Sequence, residues 1–142
     1  MCSSDLSGIG LVAAASALAT ALTRLAPAVV LSAGTTGGLG REVEVGDVCV
    51  STTLAYTDAD ATAFGYAHGQ TPDQPAVFEA DAAVLARVEA IGPAALRGAT
   101  VSSADARIRA GQMLAGNSFV TAANADRVRG AEIGRASCRE RV

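Results

Sequence analysis

The sequence predicts an α/β fold. Three observations carry that prediction. Two Ala-rich segments, 11–25 and 80–92, have helical character; apolar or β-branched runs lie at 28–34, 43–56 and 107–115; and a glycine-rich turn, TTGGLG at 35–40, directly follows the first of those runs. Helix-like segments alternating with strand-like ones form the pattern of a sheet covered by helices.

Each element has its own justification. Residues 11–25, LVAAASALATALTRL, are dominated by Ala and Leu, the strongest helix formers, with Gly8 and Gly10 before them and Pro27 after. The run AVVLSAG at 28–34 is short, apolar and closed by Gly, as expected of a strand buried on both faces. The segment VEVGDVCVSTTLAY, 43–56, is rich in β-branched residues and predicts one or two strands. Residues 57–78 have loop composition over a length that is uncommon in compact domains and often functional. The stretch ADAAVLARVEAIG, 80–92, places Val84, Leu85, Val88 and Ile91 on one helical face. A strand is expected at 107–115, a turn at Asn117 to Val120 and the start of a further helix at 122–129. In such folds ligands bind at the carboxyl ends of the strands, which here means Ser32 to Gly38 and Ala115 to Val120.

Composition excludes several classes. The 142 residues suit one domain. A formal net charge of −3 and the lack of a basic patch argue against nucleic-acid binding. No apolar run reaches the roughly 18 residues that span a bilayer, and the N-terminus has no secretory-signal pattern. The expectation is a cytoplasmic chain with no membrane partner.

The two ends read differently from the rest. Residues 132–142, EIGRASCRERV, and the start, MCSSDL, resemble in-frame translations of two common DNA-sequencing adapters, one at each end. The alternative is a pair of ordinary frayed termini. On the adapter reading, 1–6 and 132–142 are artefacts that should pack poorly, and 7–131 is a partial domain cut from a longer gene. Of the cysteines only Cys49 then remains, and a lone Cys among Val residues packs as a small hydrophobe. The eight Arg and eleven acids between Ser7 and Ala131 keep the net charge at −3.

The candidate chemistry is modest. The turn AGTTGGLG, 33–40, lacks both the Walker lysine and the G-x-G-x-x-G spacing, so it is either a plain tight turn or a place where backbone approaches a ligand closely. His68 is the only His and sits in a polar loop without a G-x-S-x-G partner motif. Asp58 and Asp60 lie in the same loop without metal-ligand spacing, so a solvated turn is the default for them, and no metal or cofactor is expected. That loop also holds Phe64, Tyr66 and Phe78, three of the five aromatic side chains, which either anchor it or cover a ligand or partner.

The order of motifs is more specific. SGIG (7–10), PAVVLSAGTTGGLG (27–40), VGDVCVS (45–51), YTDADATAFGYAHGQTP (56–72), FEAD (78–81) and GNSFV (116–120) together resemble the 5'-methylthioadenosine/S-adenosylhomocysteine nucleosidases of the purine nucleoside phosphorylase-like superfamily. The TAFGY-x-x-GQ-x-P loop is the most discriminating part. The resemblance implies a three-layer α/β/α fold around a mixed central sheet, here incomplete. It implies hydrolysis of the N-glycosidic bond, releasing adenine and a 5'-thioribose, without phosphate or metal. Thr35, Thr36 and Gly37 would line the ribose and base pocket, Phe119 would stack on adenine, the Val120 backbone would bond its edge, and Ile9 would pack near the sugar. Phe64, Tyr66 and Pro72 would reach into the 5'-thio pocket of the partner in a homodimer. This sequence departs from the family at Leu11, Thr35-Thr36, Thr57 and Asn117, which bears on fine specificity rather than class. The family's water-activating Glu, ribose-binding Glu and purine-protonating Asp have no counterpart here, so no catalytic residue is assigned and the fragment is expected to be inactive.

Two other functions fit the same residues. A phosphate-dependent, nucleoside phosphorylase-like enzyme would need basic ligands near the glycine-rich turn, where Arg41 is the candidate. A non-catalytic domain would use Phe64 and Tyr66 to hold a protein partner.

Overall fold

The computed structural model describes residues 8–99, 105–130 and 136–140, the last by backbone alone. In chain order the elements are helix α1 (Leu11–Leu22), strands β1 (Thr36–Gly38) and β2 (Val48–Tyr56), a short 3-10 turn (Thr62–Phe64), strand β3 (Phe78–Glu79), helix α2 (Ala82–Ala99), strand β4 (Ile108–Ala115), helix α3 (Ala122–Gly130) and strand β5 (Ala136–Glu140). The strands form one mixed sheet in the order β1-β5-β4-β2-β3. Its centre is parallel: β2 runs beside β4 from Val48↔Ile108 to Tyr56↔Ala115, and β4 beside β5. Its outer pairs, β1 with β5 and β2 with β3, are antiparallel.

The parallel pair explains the helix between its strands. A parallel return needs a crossover, and α2 supplies it, packing on both β2 and β4. Asp81 starts α2 by accepting the Val84 N–H on its carboxylate at 2.9 Å, which satisfies one of the helix's orphan donors. Val84, Leu85 and Val88 are half-buried as the periodicity requires, whereas Ile91 is exposed. The helix outruns the predicted 80–92 span, continuing through Pro93 into AALRGA. Pro removes one intrahelical hydrogen bond, and the Ala- and Leu-rich turn behind it restores helical propensity. Gly92 also brings the helix close to the sheet: a Cβ there would sit 3.0 Å from Ile108 Cδ1.

The run 28–34 is not a strand. It is irregular and exposed, and only Thr36–Gly38 pairs, with Glu140 to Cys138. A strand buried on both faces needs ladders on either side, and no described strand lies beside 28–34. Helix α1 forms where expected but has no buried residue, and Val12, Leu18 and Leu22 along it are exposed, as are Leu25 and Val29 to Leu31 beyond it.

Residues 136–140, read from the sequence as part of a foreign tail, supply strand β5. An open strand edge presents a row of N–H and C=O groups that an extended segment can satisfy, and β1 and β4 both offer one to this stretch. Ile133 and residues 1–6 lie outside the described residues. Cys49 is disulfide-bonded rather than a lone packed thiol. Treating Cys2 and Cys138 as foreign removes from the reading the two thiols that could pair with it.

The buried cluster is small and sits at one end of the sheet. Leu39, Ala55, Leu114, Ala125 and Val128 pack together, with Val120 against them. Leu114, 1% exposed, is its centre. The cluster joins the chain after β1, the carboxyl ends of β2 and β4, and one face of α3. At the other end of the same two strands, Asp47 forms a second knot. Its carboxylate accepts the backbone N–H groups of Glu44 and Arg107 at 3.1 and 3.0 Å and the Arg109 guanidinium at 3.0 Å.

No helix among the described residues is long and apolar enough to cross a membrane.

Candidate functional site

The carboxyl ends of β2 and β4 are joined by a clasp. Thr57 donates its backbone N–H to the Ala115 carbonyl at 2.9 Å, and its hydroxyl reaches the same oxygen at 3.3 Å. The Asp58 carboxylate accepts the Asn117 N–H at 2.7 Å. Gly116 lies beneath, with no room for a side chain: a Cβ there would collide with Thr57 Oγ1 and approach Asp58 Oδ1 to 2.9 Å. Thr57 Oγ1 is held by its hydrogen bond, and the Asp58 carboxylate is anchored through Oδ2, so neither group swings away freely. Replacing Gly116 by Ala is therefore expected to cost about 2 kcal/mol by overpacking. The control is Gly37→Ala, whose methyl would meet nothing within 4 Å. Urea melts of the two variants should separate clearly, and equal midpoints would contradict the clasp.

Beyond the clasp the chain turns through Asn117 to Val120 and enters α3. Asn124, in the first turn of α3, accepts the Thr121 N–H at 2.7 Å, a capping-box arrangement, and donates to the Phe119 carbonyl at 3.1 Å. The backbone of Phe119 is thus tied to the helix behind it, while its ring stays 64% exposed. Arg129, at the far end of α3, donates Nε–H to the Leu39 carbonyl at 2.7 Å and pairs with Asp126 at 2.6 Å. This bond fixes the chain just after Gly37-Gly38 against the helix.

Between these walls lies a cleft of about 560 Å³, lined by Gly37, Gly38, Leu39, Ser118 to Ala122, Ala125 and Arg129. The glycine-rich segment and the Phe119-Val120 turn, about 80 residues apart, meet in it. Its surface combines backbone groups of two glycines, one aromatic ring, small hydroxyls and one guanidinium. Such a wall suits a flat heteroaromatic ligand: the ring offers a stacking face and the backbone offers directional polar groups. No carboxylate is among the described lining residues.

Of the residues singled out in the sequence, Gly37, Phe119 and Val120 come together here. Thr35 and Thr36 are on the chain leading into the wall and do not line it. Ile9 does not line it either; it precedes α1, which has no buried residue, and it is 82% exposed. Phe64 is exposed and Tyr66 half-buried in the aromatic loop, and Pro72 is exposed. Phe78 serves the loop itself, meeting Tyr56 edge-to-face with centroids 6.1 Å apart, which closes the loop's neck. Asp58 and Asp60 are not merely solvated. Asp60 accepts the Thr62 hydroxyl at 2.7 Å and the Thr62 N–H at 3.1 Å, which holds its carboxyl below the usual range. Nδ1 of His68 is buried without a hydrogen-bond partner. Among the described residues no group of His, Cys, Asp or Glu is arranged to hold a metal. Arg41 is not among the cleft's lining residues. Sequence reasoning missed Asn124 and Arg129, whose signal was weak: an Asn three residues after Thr121, and a basic residue in the last helical turn.

Comparison with known proteins agrees with this geometry. The family model described as the phosphorylase superfamily matches residues 5–134. A 5'-methylthioadenosine/S-adenosylhomocysteine nucleosidase from Actinobacillus succinogenes is 41% identical over 114 residues, covering 80% of this chain and 46% of its own length. Among solved structures, the nucleosidase of Neisseria meningitidis in complex with methylthio-immucillin-A superposes with a TM-score of 0.80 at 34% identity, over 96% of this chain and 55% of that one. The Colwellia psychrerythraea enzyme in complex with adenine superposes with a TM-score of 0.79 at 33% identity, over 95% of this chain and 53% of that one. The chain spans about half the length of the relatives it matches. These likenesses carry the nucleoside phosphorylase-like α/β fold with its mixed sheet. The chain belongs to the phosphorylase superfamily, and the members it is similar to are 5'-methylthioadenosine/S-adenosylhomocysteine nucleosidases.

Proposed function

We propose that residues 7–131 are part of a nucleosidase domain that binds 5'-methylthioadenosine or S-adenosylhomocysteine and belongs to an enzyme hydrolysing the N-glycosidic bond to adenine. The observation that carries this reading is the meeting of Gly37-Gly38 with Phe119-Val120 in one cleft. The purine stacks on the Phe119 ring, and backbone groups near Gly37 and Val120 read its polar edges. The aromatic loop, with Phe64 exposed at its tip, reaches a second copy of the chain, so that Phe64, Tyr66 and Pro72 close the 5'-thio end of the partner's site in a cytoplasmic homodimer. Hydrolysis is favoured over phosphorolysis because Arg129, the basic group lining the cleft, has Nε engaged with Leu39 and Nη1 with Asp126.

The test is equilibrium binding of 5'-methylthioadenosine to the chain and to Phe119→Ala. Loss of one aromatic stacking partner is expected to weaken binding about tenfold. Equal affinity in the two proteins, or no binding by the unmodified chain, overturns the assignment.

A further inference from the structure

The residues that follow β2 belong to two structures at once. Thr57 and Asp58 begin the aromatic loop, and they also clasp the turn that carries Phe119. The loop is closed on itself: Gly69 donates its N–H to the Ala59 carbonyl at 2.9 Å, Phe64 donates to Ala61 at 2.9 Å, and the Gln70 side chain bridges Ala67 and Gln74. Ala61 and Gly69 are buried inside it. One residue before Ala59, the Asp58 carboxylate holds the Asn117 N–H at 2.7 Å. The turn 117–119 is exposed and has left the β4 ladder, so side chains take over its anchoring: Asn124 from the helix side and Asp58 from the loop side. A hydrogen bond to an ionised acceptor is roughly twice as strong as a neutral one.

We propose that Asp58 is a positioning residue: it locks the turn that carries Phe119 and Val120 and couples this wall of the cleft to the aromatic loop. The consequence for nucleoside binding rests on the function proposed above. Asp58 touches no ligand in this role. It sets where the Phe119 ring stands, and it transmits any displacement of loop 59–72 to that ring through one residue of backbone.

The test uses the full 142-residue chain, followed by residue-resolved amide hydrogen exchange in the wild type, Asp58→Ala and Asp58→Asn. In the wild type the Asn117 amide should be protected. In Asp58→Ala its exchange should accelerate at least about tenfold, as expected for losing a hydrogen bond to a charged group. Acceleration should extend to Phe119, Val120 and Gly69 while Gly111 to Leu114 in β4 remain as they were. Asp58→Asn keeps an acceptor oxygen and should recover most of the protection, which a general packing defect would not. The inference is overturned by an Asn117 amide already unprotected in the wild type, by one unchanged in Asp58→Ala, or by loss of protection spread evenly into β4. A second arm measures 5'-methylthioadenosine binding by the same proteins. Asp58→Ala should weaken it about as much as Phe119→Ala, with little further loss in the double variant, since both act on one ring. Normal affinity in Asp58→Ala despite faster exchange overturns the positioning role. A wild type that binds no nucleoside overturns the function proposed above, while the exchange pattern still decides the coupling.

Discussion

Adenine release from 5'-methylthioadenosine by this 142-residue chain is expected to be about 10⁴-fold slower than by a relative of full length, because a positioned acid–base pair contributes up to that factor. Glycosidic hydrolysis needs a base that orients water and an acid that stabilises the departing purine. The cleft offers backbone, hydroxyls, a ring and Arg129, with no carboxylate among the described residues of its lining. Three of the described acids have other tasks. Asp126 pairs with Arg129, and Asp58 holds the Asn117 N–H. Asp60 is kept ionised by the Thr62 hydroxyl and N–H, and an ionised carboxylate has no proton to give a leaving purine. Binding without turnover is the expected outcome. Parallel assays of adenine release by this chain and by the Neisseria meningitidis nucleosidase check it. Rates within about tenfold of each other would assign the chemistry to an acid present here, with Asp58 and Asp60 the first to replace.

The second large effect concerns stability. Replacing Asp47 by Ala is expected to cost about 3 kcal/mol, the lower end for breaking a buried ion pair. The lower end applies because Asp47 is 3% exposed while its partners Arg107 and Arg109 are 49% and 26% exposed. The loss has several parts. Two backbone N–H groups and one guanidinium lose their acceptor; the Glu44 bond holds the turn before β2, and the Arg107 and Arg109 bonds join the start of β2 to the start of β4. Burial alone would raise the Asp47 pKa. The N–H groups of Glu44 and Arg107, the Arg109 side chain and the Arg107 charge outweigh it and lower the value from 3.8 to about 2. A carboxyl whose folded pKa is depressed stabilises the fold fully above its unfolded value and loses that contribution as pH falls through the folded one. The difference between wild type and Asp47→Ala in urea melts should therefore be greatest at neutral pH and shrink between about pH 4 and pH 2. A difference below about 1 kcal/mol at neutral pH would reduce the knot to an ordinary surface ion pair.

Much of the fold was legible because periodicity and propensity act locally. The β-branched segment became β2, the Val84-Leu85-Val88 stripe became the half-buried side of α2, and 107–115 became β4. What failed depended on neighbours. Residues 28–34 have strand composition, but a ladder requires a second chain alongside. Cys49 was read as a lone thiol once the other cysteines had been set aside. Of the candidate site, Phe119 and Val120 were legible as the chain leaving the end of β4, whereas Gly37 rested on the order of motifs, since the strand expected before it at 28–34 did not form. Asp47, Asp58 and Asn124 were not, since each works through a backbone N–H or C=O that becomes available only after the chain has turned. Nothing in an Asp-Val or Thr-Asp dipeptide announces which amide it will accept.

The uncovered side of α1 has a consequence in the cell. Val12, Leu18, Leu22, Leu25 and Val29 to Leu31 give a stretch of about 20 residues in which large aliphatic side chains stay in water. Chaperones and proteases recognise that kind of stripe, and they do so whether or not the cleft is intact. Quality control acting on this stripe is expected to lower the abundance of the chain, and overexpression without a polypeptide to shield that helix is expected to enlarge the degraded and aggregated pools more than the usable one.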